Sequence, residues 1–311
     1  MMTYITRRLL QGIPIILGVT LVTFVLFNVF GGNPVLQFLG KSATAAEIAA
    51  MEREYGFDQP LWIQYLQYLQ QVITFDFGRS FVTKEQVTSM IAAGAMPSLS
   101  LTLPAIASTT MLSVSIALVA AFYRGQKLDR FLLITAVIGM SISFLVYIVI
   151  GQYILAFRFP IFQIHGYQDG IFERWQYLTL PILIMVIVGM GYDTRFYRSV
   201  MVEESGQNYV TTAFAKGLSK RKVMFKHMLK NAMVPIITRV MISVPFLVTG
   251  SLLLESFFGI PGLGSMLLDA LNSSDLPVIK AYTVLISVLF VLSNLATDVL
   301  YAVFDPRVRL S

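Results

Sequence analysis

Six nearly charge-free apolar runs divide this chain: Leu9 to Phe30, Pro97 to Phe122, Phe131 to Phe157, Trp175 to Tyr192, Val234 to Leu254 and Ala281 to Phe304. Each is close to the roughly 20 residues that an α-helix needs to cross a hydrocarbon core about 30 Å thick. Backbone groups in lipid must bond within their own segment, so runs of this length form helices, and the absence of apolar–polar alternation rules out a barrel. The pattern predicts an all-α membrane protein with six transmembrane helices. The first run is preceded by Arg7 and Arg8 but is too long for a secretory signal and has no small-residue cleavage site before Gly31, so it is read as a retained span. Between the first two runs, residues 31–96 predict two helices, Thr44 to Glu54 and Leu61 to Ile73, in a folded segment outside the membrane with six acidic and four basic residues.

Composition agrees with this picture. The 311 residues are 56% hydrophobic and 13% charged, with a mean hydropathy of +0.72, too apolar for a chain that must cover its surface with polar groups. Lys and Arg set the orientation, because basic loops stay in the cytoplasm. Segments 1–8, 123–130, 195–233 and 305–311 hold fifteen basic residues, against seven in 31–96, 158–174 and 255–280. Both termini are therefore expected in the cytoplasm, and 31–96 outside. The net charge of +6 sits in the cytoplasmic loops, where the positive-inside rule and contact with anionic lipid explain it without a nucleic-acid partner. The absence of cysteine removes disulfides and thiolate metal sites.

The most ordered polar stretch is Tyr209 to Pro235, inside the 195–233 loop. Val210, Ala213, Phe214 and Gly217 recur at helical spacing, which predicts one shallow helix face closed by Gly217-Leu218. Ser219 is placed as the N-cap of a second helix with Phe225, Met228, Leu229 and Ala232 as its apolar stripe beside Lys222, Lys226 and Lys230. Such a helix-turn-helix predicts a docking surface.

Tyr209-Val210, Thr212-Ala213, Ala215-Lys216-Gly217-Leu218, His227, Asn231-Ala232 and Pro235 resemble the cytoplasmic loop of the transmembrane subunits of bacterial ATP-binding-cassette importers, in the version found in peptide and nickel permeases. The resemblance is collinear through Gly31 to Pro34, Tyr55 to Tyr65, Phe75 to Ser80, Pro261 to Gly264 and Asp305 to Arg307. It departs at Thr211, where the general importer motif has Glu, and around Gly94 to Ser98, where Ala95, Met96 and Ser98 replace the usual basic residue and Thr. The resemblance implies one type I importer transmembrane domain over 1–311, in the bacterial inner membrane. It implies a coupling helix formed by Val210, Thr212, Ala213, Phe214, Ala215, Lys216, Gly217 and Leu218, and a segment Pro261, Gly262, Leu263, Gly264 that dips toward the translocation path. It implies as partners a paralogous permease subunit, two ATPase subunits that bind ATP and Mg, and an extracytoplasmic substrate-binding protein. Di- or oligopeptides are the implied cargo; nickel chelate and glutathione are carried by the same family.

No GxxxxGK[ST] loop occurs, so ATP is expected on separate subunits, with no cofactor in this chain. Glycines 259–264 read as a turn, because Pro261 interrupts them. His165 and His227 are expected on opposite sides of the membrane and so form no metal site. Arg239, Glu255 and Asp298 lie near span ends, where ion pairing or snorkelling is the expected use, and Asp193 and Arg195 at the inner edge of the fourth span. An ion-coupled secondary transporter needs midplane carboxylates that this pattern does not supply, and an intramembrane enzyme needs histidine or a similar constellation inside the spans.

Overall fold

A computed structural model describes residues 2–30, 34–39, 44–249 and 251–304. Gly31 to Asn33 and the terminal Asp305 to Arg307 motif lie outside the described residues. Among the described residues the regular elements are all helical, with one isolated bridge between Arg79 and Gln86. Helix α1, Met2–Phe24, is carried on by π-helical turns over Val25–Phe30, and α2 is Pro34–Leu39.

Helix α3, Ala45–Tyr55, opens on a capping box: Glu47 N–H donates to Thr44 Oγ1 at 3.3 Å and Thr44 N–H to Glu47 Oε2 at 2.8 Å. It ends at left-handed Gly56. Helix α4, Leu61–Thr74, follows. These are the two helices expected from the 31–96 pattern. Their apolar faces, with Met51 and Tyr68, pack with Phe77 and Phe81 against Phe24 of α1 and Leu276.

Helix α5, Val87–Phe122, starts ten residues before the expected Pro97 and at about 1.5 Å per residue is some 54 Å long, well beyond a bilayer core. The third apolar run is not one straight helix. It forms α6, Lys127–Ser141, and α7, Phe144–Gly151 with π turns over Gln152–Arg158, meeting at 90°. Two tyrosines make the break tolerable in apolar surroundings: Tyr147 Oη donates to Gly139 O at 2.8 Å and Tyr192 Oη to Met140 O at 3.3 Å, so carbonyls released at the end of α6 stay bonded.

Helix α8, Ile171–Ser205, overruns the expected Trp175 to Tyr192 at both ends. It leads into α9, Asn208–Ala215, then α10, Lys220–Lys222, π turns over Val223–Met228, and α11, Leu229–Asn231. Helix α12, Met233–Thr249, stops before the expected Leu254. The chain resumes as α13, Leu252–Phe258, and α14, Leu263–Asn272, set at 90° to each other, before α15, Leu276–Phe304. Among the described residues four helices are long and apolar enough to cross a membrane: Thr6–Phe30, Val87–Phe122, Phe172–Ser205 and Leu276–Tyr301. The bent α6–α7 pair and α12 account for the other two runs.

Small residues set how closely the spans approach. A Cβ on Gly12 of α1 would lie 2.5 Å from Val291 of α15, one on Gly189 of α8 would lie 2.8 Å from Thr109 of α5, and one on Gly191 would lie 3.1 Å from the α6 backbone at Ala136 and Met140. Lipid tails are as apolar as leucine, so close packing of this kind drives association where hydrophobicity does not. Charges near the span ends are paired: Arg8 with Asp298 and Arg239 with Asp193, each at 2.9 Å.

The segment before α5 is fastened to α15 by one carboxylate. Asp275 accepts from Ser80 Oγ at 2.5 Å and from Phe81 N–H at 3.0 Å, and all three residues are buried. Replacing Asp275→Ala removes the acceptor that buried Ser80 Oγ and Phe81 N–H share, at about 1–3 kcal/mol. Hydrogen exchange should then quicken over residues 76–86 while α5 and α8 keep their protection; uniform exchange across both regions would show that Asp275 is not the fastening.

Candidate functional site

Helix α9 is eight residues long, too short to persist alone in water, so its neighbours hold it in place. Its end is a Schellman motif: Gly217 N–H donates to Phe214 O at 2.9 Å and Leu218 N–H to Ala213 O at 3.3 Å. The motif requires a left-handed residue, and Gly217 has φ +77°. The expected single face divides in two. Val210 (2% exposed) and Ala213 (5%) point inward onto Tyr197, Met201, Val223, Met224 and Met228, while Phe214 is 44% exposed, together with exposed Thr211, Thr212, Ala215, Lys216 and Gly217. Ala213 is therefore packing, not outer surface, because the next helix folds back across it.

That next helix also departs from the expected stripe. Ser219 stands at the N-cap in extended conformation but makes no side-chain cap bond. The π turns over Val223–Met228 widen the helical repeat, so residues five apart share a side. Val223, Met224, Met228 and Ala232 are buried, and Phe225, placed on the stripe by a 3.6-residue period, is 56% exposed. Phe214, Phe225 and the exposed Lys216, Lys222, Lys226 and Lys230 thus make a basic surface with aromatic points. Behind it, Tyr209 Oη donates to Glu204; burial first, and this carboxylate next, push its phenol up to about 12.

This segment is tied to the spans by specific contacts. Lys220 Nζ donates to Phe122 O at 2.5 Å and lies 4.1 Å from the Phe122 ring centroid, capping the end of α5. Arg198, on α8 shortly before α9, makes a two-pronged pair with Asp129 of α6, Nε to Oδ1 at 2.6 Å and Nη2 to Oδ2 at 2.7 Å. Asp129 also accepts from Gly125 N–H at 2.9 Å, which fixes the 123–126 turn. Paired forks of this type hold orientation as well as distance.

The other end of α5 meets the α13–α14 hairpin. Glu255, fully buried, accepts from Ser98 Oγ (2.8 Å), Ser251 N–H (3.2 Å), Gly264 N–H (2.7 Å) and Ser265 N–H (3.1 Å); Ser98 Oγ in turn accepts from Leu263 N–H at 2.8 Å. The carboxylate meets the free N–H groups at the start of α14, where the helix dipole favours it. A Cβ on Gly262 would lie 2.4 Å from Glu255 Oε2, and one on Gly264 would lie 2.8 Å from Leu252 N, so both positions demand glycine. Gly262, Leu263 and Gly264 are buried and Pro261 is exposed beside a cavity of about 320 Å³ that reaches Met90 and Gly94 of α5. Spacing placed Glu255 near a span end but gave no hint of this role, because Ser98 is 157 residues away. His165 lies against Gly259 of the hairpin, whereas His227 is in the π turns after α9, so the two histidines are not brought together. Among the described residues no group of three His, Cys, Asp or Glu could hold a metal ion.

Comparison with known proteins covers 99% of the chain. Residues 113–310 match the family described as binding-protein-dependent transport system inner membrane component, and residues 1–102 match the corresponding N-terminal family. The oligopeptide transport system permease protein AppB of Bacillus subtilis is 34% identical over 315 residues, covering 99% of this chain and all of the relative. The glutathione transport system permease protein GsiC is 35% identical in Salmonella paratyphi A and 33% in Escherichia coli K12, over 314 residues in each case and 99% of both chains.

Two substitutions test the hairpin. Glu255→Ala removes the acceptor shared by four donors, and Gly262→Ala drives a methyl group into the carboxylate. Each should lower the thermal midpoint of the purified protein and speed exchange across 251–272 by at least tenfold, with 207–233 unchanged. Unaltered exchange in the hairpin would mean that the Glu255 contacts do not hold it.

Proposed function

This chain belongs to the family of inner membrane components of binding-protein-dependent transport systems and is a permease subunit of an ATP-driven importer; from that premise we propose that it carries short peptides, glutathione included, through a pore shared with a second, related permease subunit. Support for the cargo comes from relatives named for oligopeptide and glutathione transport along their full length. Nickel chelate is a less supported alternative. A separate extracytoplasmic protein delivers the peptide, and two separate ATPase subunits bind ATP and Mg. Both termini and the 207–233 segment face the cytoplasm, and segment 31–96 lies outside.

The observation that carries the coupling role is the division of α9 into an anchored and a free face. Val210, Ala213 and Leu218 hold it to the spans, while Phe214, Ala215 and Lys216 remain for the ATPase cleft, with Thr212 and Gly217 beside them. ATPase closure then moves α9 as part of a body that includes Lys220 and the end of α5. About 36 Å farther along α5, at 1.5 Å per residue, Ser98 meets the hairpin. Pro261, Gly262, Leu263 and Gly264 form the turn that gates the path on the outer side. Ion-driven transport is disfavoured because Asp193 and Asp298 are each matched by an arginine.

Phe214→Arg places a charge where an aromatic anchor enters the partner, at a typical interface effect of 1–2 kcal/mol or more. Recovery of ATPase with the permease should fall about tenfold while the permease stays in the membrane; full uptake would remove α9 from the interface. Ala213→Arg, in contrast, should reduce the amount of folded permease. Lys216→Cys and Gln168→Cys, in this cysteine-free chain, should react with an impermeant thiol reagent from opposite sides of the membrane; equal labelling in intact spheroplasts would overturn the orientation. Reconstituted alone the chain should transport nothing, and ATP-dependent uptake should need all partners. Uptake by the lone chain driven by an ion gradient would favour a secondary transporter.

A further inference from the structure

We propose that the cavity between the 44–86 segment and the start of α15 is a binding site for a small solute that carries both a carboxylate and an N–H donor, as an amino acid or short peptide does. Its volume is about 700 Å³, within the range of roughly 300–1,000 Å³ typical of small-molecule pockets. It is walled by the end of α3, by α4, by the 76–81 loop, by the start of α15 and by Asn28 of the π turns after α1, and is distinct from the α9 surface and from the turn at Pro261.

Two groups in its wall lack the partners that their chemistry calls for. Lys280 threads its side chain between three aromatic rings, with Nζ 5.7 Å from the Phe24 centroid, 5.8 Å from Phe57 and 5.4 Å from Tyr68. Rings attract the ammonium weakly but accept no strong hydrogen bond. Among the described residues no carboxylate lies within ion-pair distance of Lys280. Part-buried among these rings, the ammonium gains from an anion placed beside it in the cavity. The second group is Asn28, which donates from Nδ2 to Gln64 Oε1 at 2.9 Å while its Oδ1 is buried and accepts no bond. Left so, a buried acceptor is destabilising.

One ligand answers both needs: its carboxylate accepts from Lys280 and its N–H donates to Asn28 Oδ1. Phosphate answers only the first. The mouth of the cavity also carries the exposed acids Glu54, Asp58 and Asp76 together with the exposed Arg53 and Arg79, a mixed-charge rim that suits a zwitterion. Gln67 and Gln71 supply amides along the wall between. The site rests on the peptide-import reading only for the natural source of its ligand.

The test uses the full chain in lipid nanodiscs, titrated calorimetrically with dialanine and with dialanine amide, which lacks the carboxylate. Dialanine should bind and the amide should bind at least tenfold more weakly. Lys280→Gln and Asn28→Leu should each weaken dialanine binding about tenfold. A measurement on the unmutated protein guards against misfolded variants: dialanine should slow acetylation of Lys280, followed by mass spectrometry, several-fold, and the amide should not. No dialanine binding, equal binding of the amide, or no protection of Lys280 would overturn the site. Peptide uptake by the assembled complex without Lys280 protection would end this inference and leave the import reading standing. Protection of Lys280 in a complex that imports no peptide would do the reverse.

Discussion

Every backbone N–H and C=O removed from water needs a partner, and this constraint decides where the bundle is allowed to be irregular. Helices α1, α5, α8 and α15 meet it through their own i→i−4 bonds except one turn before Pro14, Pro97, Pro104 and Pro181, and they are long and apolar enough to be spans. The remaining features are helix ends, and each has a named group that completes it. Tyr147 and Tyr192 hold the carbonyls at the end of α6, Lys220 holds Phe122 O at the end of α5, and Glu255 collects the N–H groups that open α14. Removing any of these groups frees a helix end.

Two of those completed ends belong to, or rest on, α5. Ser98 near one end joins the Glu255 network, and Phe122 at the other receives Lys220. Pro97 and Pro104 lie inside the helix, yet it continues unbroken to Phe122, and the Gly189–Thr109 approach packs its middle closely against α8. A helix gripped at both ends and along its middle shifts as a body. This gives the two poles of the molecule a physical connection without an invoked chain of small side-chain adjustments.

Much of this architecture was legible in the sequence because its signals are local. The helix expected over Thr44 to Glu54 is α3, Ala45–Tyr55, within a residue at each end, and Gly217 closes α9 where expected. What was not legible depends on contacts distant in sequence or on a changed helical period. The break before Phe144 lies in an unbroken apolar run, and its stabilising tyrosines announce nothing by spacing. Phe225 was assigned inward by a 3.6-residue repeat that the π turns do not keep. Ser98 marked only a departure from the family pattern, yet it bonds both to Glu255 and to Leu263, because the hairpin lies across it in space.

The inward turn of Ala213 changes what selection at α9 means. A helix of eight residues has little stability of its own, so the position of Phe214 is set by the packing of Val210 and Ala213 on Val223, Met224 and Met228. Those residues are buried within the chain, and a cavity among them loosens the exposed surface that carries Phe214. Loss of coupling is therefore weak evidence of contact when it follows a change on the inner face. Direct contact is assigned by changes at exposed positions that leave this core, the Schellman closure and the Lys220 bond intact, since only then is the presenting body unchanged while its surface differs.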